Sequence, residues 1–189
     1  MNLLFSILTP AVPARLGKLA ALSAELAIQI AEQPVEHLVL MDNQRRTIGE
    51  KRDALLRAAI GDYVAFVDDD DSVSNDYVAS IMEAAESRPD VITFRQKTLV
   101  NNLAGEIEFG LGNQNEPFKP GGTTKRNAWH VCAWRRSLAI LSSFPAINYG
   151  EDWQFAEKLC GLKGLRSIHI PRVLHCYNYS DTTTLAHGH

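Results

Sequence analysis

The sequence is short of several features that would assign a chain to a special environment. No apolar stretch approaches the roughly 18–20 residues that cross a bilayer, so no transmembrane segment is expected. Cysteine is scarce. The three present, Cys132, Cys160 and Cys176, are odd in number and widely spaced. They make neither a disulfide framework nor a paired metal motif, and they fit reduced thiols in a cytoplasmic setting. Excess positive charge is missing too. The formal net charge is -3, which gives no overall basic field for nucleic acid. The first residues, Met1 to Phe5, lack the basic segment and long apolar run of a signal peptide. Repeats and low-complexity linkers are absent. What remains is an ordinary globular balance over 189 residues, 46% hydrophobic and 22% charged. That is enough for a single domain with a sizeable core.

The strongest local signal is Gly61-Asp62-Tyr63-Val64-Ala65-Phe66-Val67-Asp68-Asp69-Asp70-Asp71. Residues 64–67 read as a short buried strand bounded by Gly61. Charge cannot run far into a core, so the aspartates mark the strand's exposed C-terminal end. Four adjacent carboxylates repel one another unless solvated, capping a helix, or neutralised by a cation. Asp68 and Asp70 share one side of an extended backbone, which suits a hard metal ion. An acidic turn capping the next helix is the plainer alternative.

Around this stretch the chain alternates strand and helix. Residues 3–8 form an apolar run broken by Thr9-Pro10. Residues 14–33 carry Leu16, Leu19, Leu22, Leu26 and Ile30 at helical spacing and stop at Pro34. Residues 35–41 form a second strand ending at Asp42-Asn43. Thr47 and Glu50 match a capping box opening a helix over 48–60. After the aspartates, Ser72 or Ser74 caps a helix over 75–87, and residues 91–94 form a fourth strand. Residues 101–122 are rich in Asn, Gly, Glu and Pro, with a possible hairpin at Ile107 and Phe109. Such order predicts an α/β fold with a mostly parallel sheet, whose ligands gather at the carboxyl ends of the strands. Thr9, Asp42 and the aspartate run all lie at those ends.

Residues 117–150 contain no acidic side chain but hold Lys119, Lys125, Arg126, Arg135 and Arg136, with His130 among them. The segment is either an ordinary solvated surface or a local positive surface for phosphates. Trp129 and Trp134 flank a short strand and serve burial or stacking. Gly150-Glu151-Asp152-Trp153 opens a helix. Carboxylates at a helix N-terminus are favoured by the macrodipole, and the same placement suits a general base. Residues 168–170 and 173–179 form closing strands around Pro171. The second holds His175, a structural histidine or a third ligand to an Mn²⁺-like ion.

Taken together, these residues resemble the family 2 glycosyltransferases of the GT-A fold, from Leu3 to about Tyr179. The strand ending in Thr9-Pro10 is similar to the family's opening strand. Leu38-Val39-Leu40-Met41-Asp42-Asn43 is similar to its strand ending in an acidic pair, with Met41 in place of the first aspartate. Arg52 falls where the family has the Arg of its Arg-Asn-x-Gly helix, although Asp53-Ala54-Leu55 follows it here. The aspartate stretch matches the family's Gly-Glu-Tyr-Ile-Ala-Phe-Leu-Asp-x-Asp-Asp, and Gly150-Glu151-Asp152-Trp153 its late Gly-Glu-Asp-Trp.

The resemblance implies a GT-A-like, Rossmann-type single domain over residues 1–180. Residues 1–100 are its nucleotide-sugar-binding half, residues 101–180 its acceptor half, and residues 181–189 a polar tail. It implies transfer of a sugar from a nucleotide-sugar, a UDP-sugar, to a hydroxyl acceptor with inversion, assisted by a divalent cation, Mn²⁺ or Mg²⁺. Asp70 is then the direct metal ligand, with Asp68 and His175 as further ligands. Thr9, Asp42, Arg52, Asp68 and Asp69 contact the donor. Asp152 is the general base and Glu151 its support. Trp153 is a wall of the acceptor pocket, and Asp71 is assigned to helix capping. A saccharide or lipid-linked saccharide is the default acceptor. A modified base in DNA is an alternative, since a small enzyme of this fold with a positive segment from Lys119 to Arg136 could act there, as some phage-encoded enzymes do. A nucleotidyltransferase, or a non-catalytic nucleotide-sugar-binding module, are the other readings left open.

Overall fold

The computed structural model describes residues 4–179. The polar tail at 181–189, with His187 and His189, lies outside the described residues. Strand β1 (Phe5–Ala11) runs between β2 (Val35–Met41) and β3 (Tyr63–Phe66), parallel to both. Every residue of β1 and β3 is buried, so both read as continuous rather than alternating apolar runs, as strands covered on two faces do. Helices α1 (Leu16–Ile30) and α3 (Tyr77–Ala85) cover one face through Leu22, Leu26, Val78 and Ile81. Helices α2 (Ile48–Ala58), α4 (Arg136–Ser142) and α5 (Glu151–Cys160) cover the other. There Leu55, Leu56, Ala139, Phe155 and Leu159 pack on Leu8, Val64 and Phe66.

The sheet continues through β8 (Ala133–Arg135), antiparallel between β3 and β5 (Val91–Val100). Strand β5 pairs antiparallel with β6 (Leu103–Phe109), and β6 pairs parallel with β7 (Thr123–Arg126). Strand β9 (Ser167–Tyr179) runs parallel to β5 along its length and holds the two-residue β4 (Ser72–Val73) on its far side. The α/β expectation of one sheet flanked by helices is met.

Several local expectations are sharpened. The second strand keeps its bounds, and the capping box forms with both of its hydrogen bonds: Thr47 Oγ1 accepts from Glu50 N at 3.1 Å, and Glu50 Oε2 accepts from Thr47 N at 2.7 Å. Thr9-Pro10 does not break β1. Register with β3 stops at Leu8–Phe66, so Pro10 lies where β1 pairs only with β2, and its missing N–H costs no second ladder. The closing strands are one strand, with an irregularity that absorbs Pro171. Neither Ser72 nor Ser74 caps α3. Ser72 belongs to β4, and Ser74 Oγ donates to Asp76 Oδ1 at 2.6 Å.

Candidate active site

The carboxyl ends of β1 and β3 open into a cleft of about 1000 Å³. Its floor is the aspartate run, its sides are α2, the start of α5 and the ends of β5 and β9, and Tyr149 stands on its rim. Gly150 reaches this rim in the left-handed region, φ 79°, immediately before α5, a turn that favours glycine.

The four aspartates have four different surroundings. Asp68 accepts two bonds from Arg52 Nη2, at 2.8 and 3.0 Å. Burial, then the neighbouring carboxylates of Asp71, Asp70 and Asp69, push its pKa up to about 7, against the pull of Arg52. Asp69 is almost fully buried. Its Oδ2 accepts from Val12 N at 2.9 Å and its Oδ1 from Arg15 Nη1 at 2.8 Å, so it ties the end of β1 to the floor. Asp70 shares Arg15 Nη1 at 3.0 Å. Burial holds its carboxyl above the ordinary range, Asp71 and Asp69 adding to the effect and Arg15 opposing it. Asp71 is not a helix cap. It precedes β4, and its Oδ2 lies 3.2 Å from Nε2 of the fully buried His175, while its buried Oδ1 has no hydrogen-bond partner among the described residues.

That pairing changes the expectation for His175. It faces Asp71, and among the described residues no three His, Cys, Asp or Glu side chains gather to hold a metal ion by themselves. The donor set still fits a hard cation in another way. Burial raises the pKa of both Asp68 and Asp70, and the adjacent carboxylates add to it against the pull of Arg52 and Arg15, so a cation placed between them would relieve the charge they hold in common. Ions of the Mg²⁺ type are held by one or two carboxylates together with phosphate oxygens and water.

Arg52 joins the two acidic motifs. Its guanidinium is buried, 5.6 Å over the Phe66 ring, with Nη2 on Asp68 and Nε 3.6 Å from Glu151 Oε1. Burial works against its charge, but Asp68, Glu151, Asp152 and Asp71 more than offset this and raise its pKa. Asp152 lies in the first turn of α5. Its Oδ2 accepts from Trp129 Nε1 at 3.2 Å and its Oδ1 from Trp153 N at 2.7 Å. His130 Nδ1 is 3.7 Å from the same Oδ2. Burial first, then Arg52 and His175, hold His130 well below its usual pKa, so it is a neutral neighbour.

Two expected donor contacts stand back from the cleft. Thr9 is fully buried, its hydroxyl donating to Val67 O at 2.8 Å beside His37 Nε2 at 2.9 Å. It fastens three strands together. Asp42 bonds Lys51 Nζ at 2.7 Å and accepts from Gln44 N and Arg46 N. Its role here is to shape the turn that carries Gln44 and Arg46 into the cleft. Of the basic segment, only Arg126 and His130 line the cleft. Lys119 pairs with Glu116, and Arg135 with Asp90. Trp134 is core, while Trp129 faces the site. Arg15, Lys51 and Trp129 are the site residues that sequence reasoning missed or left undecided. A basic side chain shortly after a strand end is the faint signal for Arg15.

Comparison with solved structures shows the same fold. S. aureus TarS matches with a TM-score of 0.65 at 17% identity over 94% of this chain and 37% of that one. TarS 1–349 in complex with UDP-GlcNAc matches with 0.65 at 14% identity, over 95% of this chain and 59% of that one. Its complex with UDP gives 0.64 at 15% identity, over 94% and 61%. The present chain therefore spans less than two thirds of the length of these neighbours. Curated protein sequences give no match. The sequence model described as glycosyl transferase family 2 matches residues 22–139, a stretch that runs from within α1 through β2, α2, β3 and the aspartate floor into α4. The chain belongs to glycosyl transferase family 2.

Proposed function

We propose that this protein transfers a sugar from a nucleotide-sugar, a UDP-sugar, to an acceptor hydroxyl with inversion. The observation that carries this reading is the convergence of the aspartate run and the Glu151-Asp152 motif on one buried guanidinium, that of Arg52. A donor site needs charge-compensated carboxylates facing a diphosphate, and an acceptor site needs a base across from them. Family membership and the UDP-GlcNAc and UDP complexes of the TarS neighbours support the donor class.

In this reading Asp70, with Asp68, holds a divalent cation, Mn²⁺ or Mg²⁺, which when bound supplies charge neutralisation for the departing diphosphate. Arg52 keeps Asp68 in place and holds the two acidic motifs together. The turn carrying Gln44 and Arg46 borders the nucleoside end. Asp152 Oδ2 takes the acceptor hydroxyl proton as the acceptor oxygen bonds to the anomeric carbon and the bond to the phosphate oxygen breaks. The indole N–H of Trp129 and the amide of Trp153 fix that carboxylate, one per oxygen. Glu151, buried beside Arg52, supports the base from behind.

The test is Asp152→Asn. It keeps the size of the side chain and removes the base. Transfer falls by at least about a hundredfold, the lower end of what general-base removal costs, while UDP binding is retained. Near wild-type turnover would remove Asp152 from the mechanism. A product that retains the donor's anomeric configuration would contradict inversion.

A further inference from the structure

A second pocket, of about 290 Å³, lies beside the main cleft and shares two walls with it, Trp129 and Trp153. Asn115, Asn127, Ala156, Glu157, Cys160 and Gly161 complete its lining. Asp152 lines the main cleft and is bonded to both of the shared residues, to the indole of Trp129 and to the amide of Trp153. Whatever offers a hydroxyl to Asp152 from the acceptor side has this pocket within reach of its next unit.

The chemistry of the lining is selective. It contains no Lys, Arg or His, and its one charged group is the carboxylate of Glu157. A phosphate or nucleic-acid backbone would be repelled. The two asparagines are fixed by the backbone. Asn115 Oδ1 accepts from Asn127 N at 3.0 Å. Asn127 Oδ1 accepts from Gly112 N at 3.1 Å and Ala128 N at 3.0 Å. These bonds fill both lone pairs of Asn127 Oδ1 and one of Asn115 Oδ1, and they orient both amides with their NH₂ ends left as donors. Two fixed amide donors and one carboxylate acceptor are the set that pairs with neighbouring hydroxyls, each of which both donates and accepts. Trp153 adds a flat apolar surface, 47% exposed although it is a large aromatic. A ring with one C–H-rich face and hydroxyls at its edge meets both requirements.

We infer that this pocket is a saccharide subsite. It takes an uncharged pyranose ring of the acceptor, adjacent to the unit whose hydroxyl meets Asp152. The inference rests on the glycosyltransferase reading and narrows its acceptor to a saccharide of at least two rings. Trp153 stacks on the ring, and Glu157 with the two asparagines reads its hydroxyls.

The test separates the two levels. Wild-type protein is titrated without donor, by saturation-transfer NMR, with maltose, cellobiose, lactose and chitobiose. Glucose and N-acetylglucosamine serve as single-ring controls, and a short single-stranded DNA as the polyanion control. At least one disaccharide is expected to bind at least about tenfold more tightly than its single ring. Trp153→Ala should remove about tenfold of that affinity, in line with the loss of a central aromatic anchor. Glu157→Ala, on an exposed helix position, should remove severalfold and gives a second variant if Trp153→Ala does not fold. Circular dichroism checks both. No preference for two rings, unchanged affinity in folded variants, or DNA binding that depends on Trp153 would each overturn the subsite. UDP binding by calorimetry on the same wild-type sample keeps the outcomes apart. UDP binding without saccharide binding sinks the subsite alone, whereas no UDP binding sinks the donor reading beneath it.

Discussion

Arg52 Nε lies 3.6 Å from Glu151 Oε1, while Nη2 of the same guanidinium bonds Asp68 at 2.8 Å. One side chain of α2 therefore joins the end of β3 to the start of α5, and all three groups are shielded from bulk water to different degrees. Removing the guanidinium takes away the countercharge that Asp68 and the buried Glu151 share. Arg52→Ala should destabilise the protein by about 3–5 kcal/mol, the usual consequence of breaking a buried pair. Arg52→Lys should recover only part of this, because an ammonium cannot reach both carboxylates as the planar fork does. Urea denaturation of the two variants measures both effects. Equal stability of the lysine variant and wild type would show that charge alone suffices.

The raised pKa of Asp68 gives a prediction in pH. A carboxyl whose folded pKa exceeds its unfolded value binds more protons in the native state. Its contribution to stability is full below the ordinary carboxylate range and is lost as pH rises toward about 7. Asp70 is shifted in the same direction. A divalent cation replaces the proton, so its stabilising effect should grow over that interval. Melting temperatures measured from pH 5 to 8, with and without MnCl₂, should diverge as pH rises, with the gap small at pH 5 and widest above 7. Parallel curves would place the cation elsewhere.

The loop before α5 is held against the start of α2 with no room to spare. Gly49 N donates to Ile147 O at 3.1 Å, and a Cβ on Gly49 would stand 1.8 Å from Pro145 O. Since that contact is with backbone, Gly49→Ala must displace the loop that carries Asn148 and Tyr149 into the cleft. A loss of about 1–3 kcal/mol is expected from overpacking, together with weaker donor binding. A melting curve and a UDP titration check the two parts. An unchanged melting temperature would mean that the loop is not packed as described.

These features differ in how far they were legible in sequence. The strand over Val35–Met41 and the Thr47–Glu50 capping box are local and periodic, and both appear as expected. Asp68 to Asp71 do follow the end of β3, as expected, but Asp69 and Asp71 are buried there rather than exposed, and Asp69 is held by Arg15 and Val12 N. What each aspartate does was not legible. The Arg15 bonds to Asp69 and Asp70, and the facing of Asp71 and His175, depend on where β1 and β9 lie relative to β3. Register of that kind has no short-range signal. The same holds for β8, three residues placed antiparallel between β3 and β5. Thr9 shows the reverse error. A polar residue near a strand end suggested ligand contact, but side-chain hydrogen bonds to Val67 O and His37 Nε2 occupy its hydroxyl.

The most direct measurement of the central claim is a calorimetric titration of wild-type protein with UDP, once in MnCl₂ and once in EDTA, repeated on Asp70→Ala. Binding is expected in MnCl₂ and is expected to be lost in EDTA and in the variant, because Asp70 with Asp68 anchors the cation that meets the diphosphate. UDP binding of equal strength in EDTA, or in Asp70→Ala, would contradict that claim.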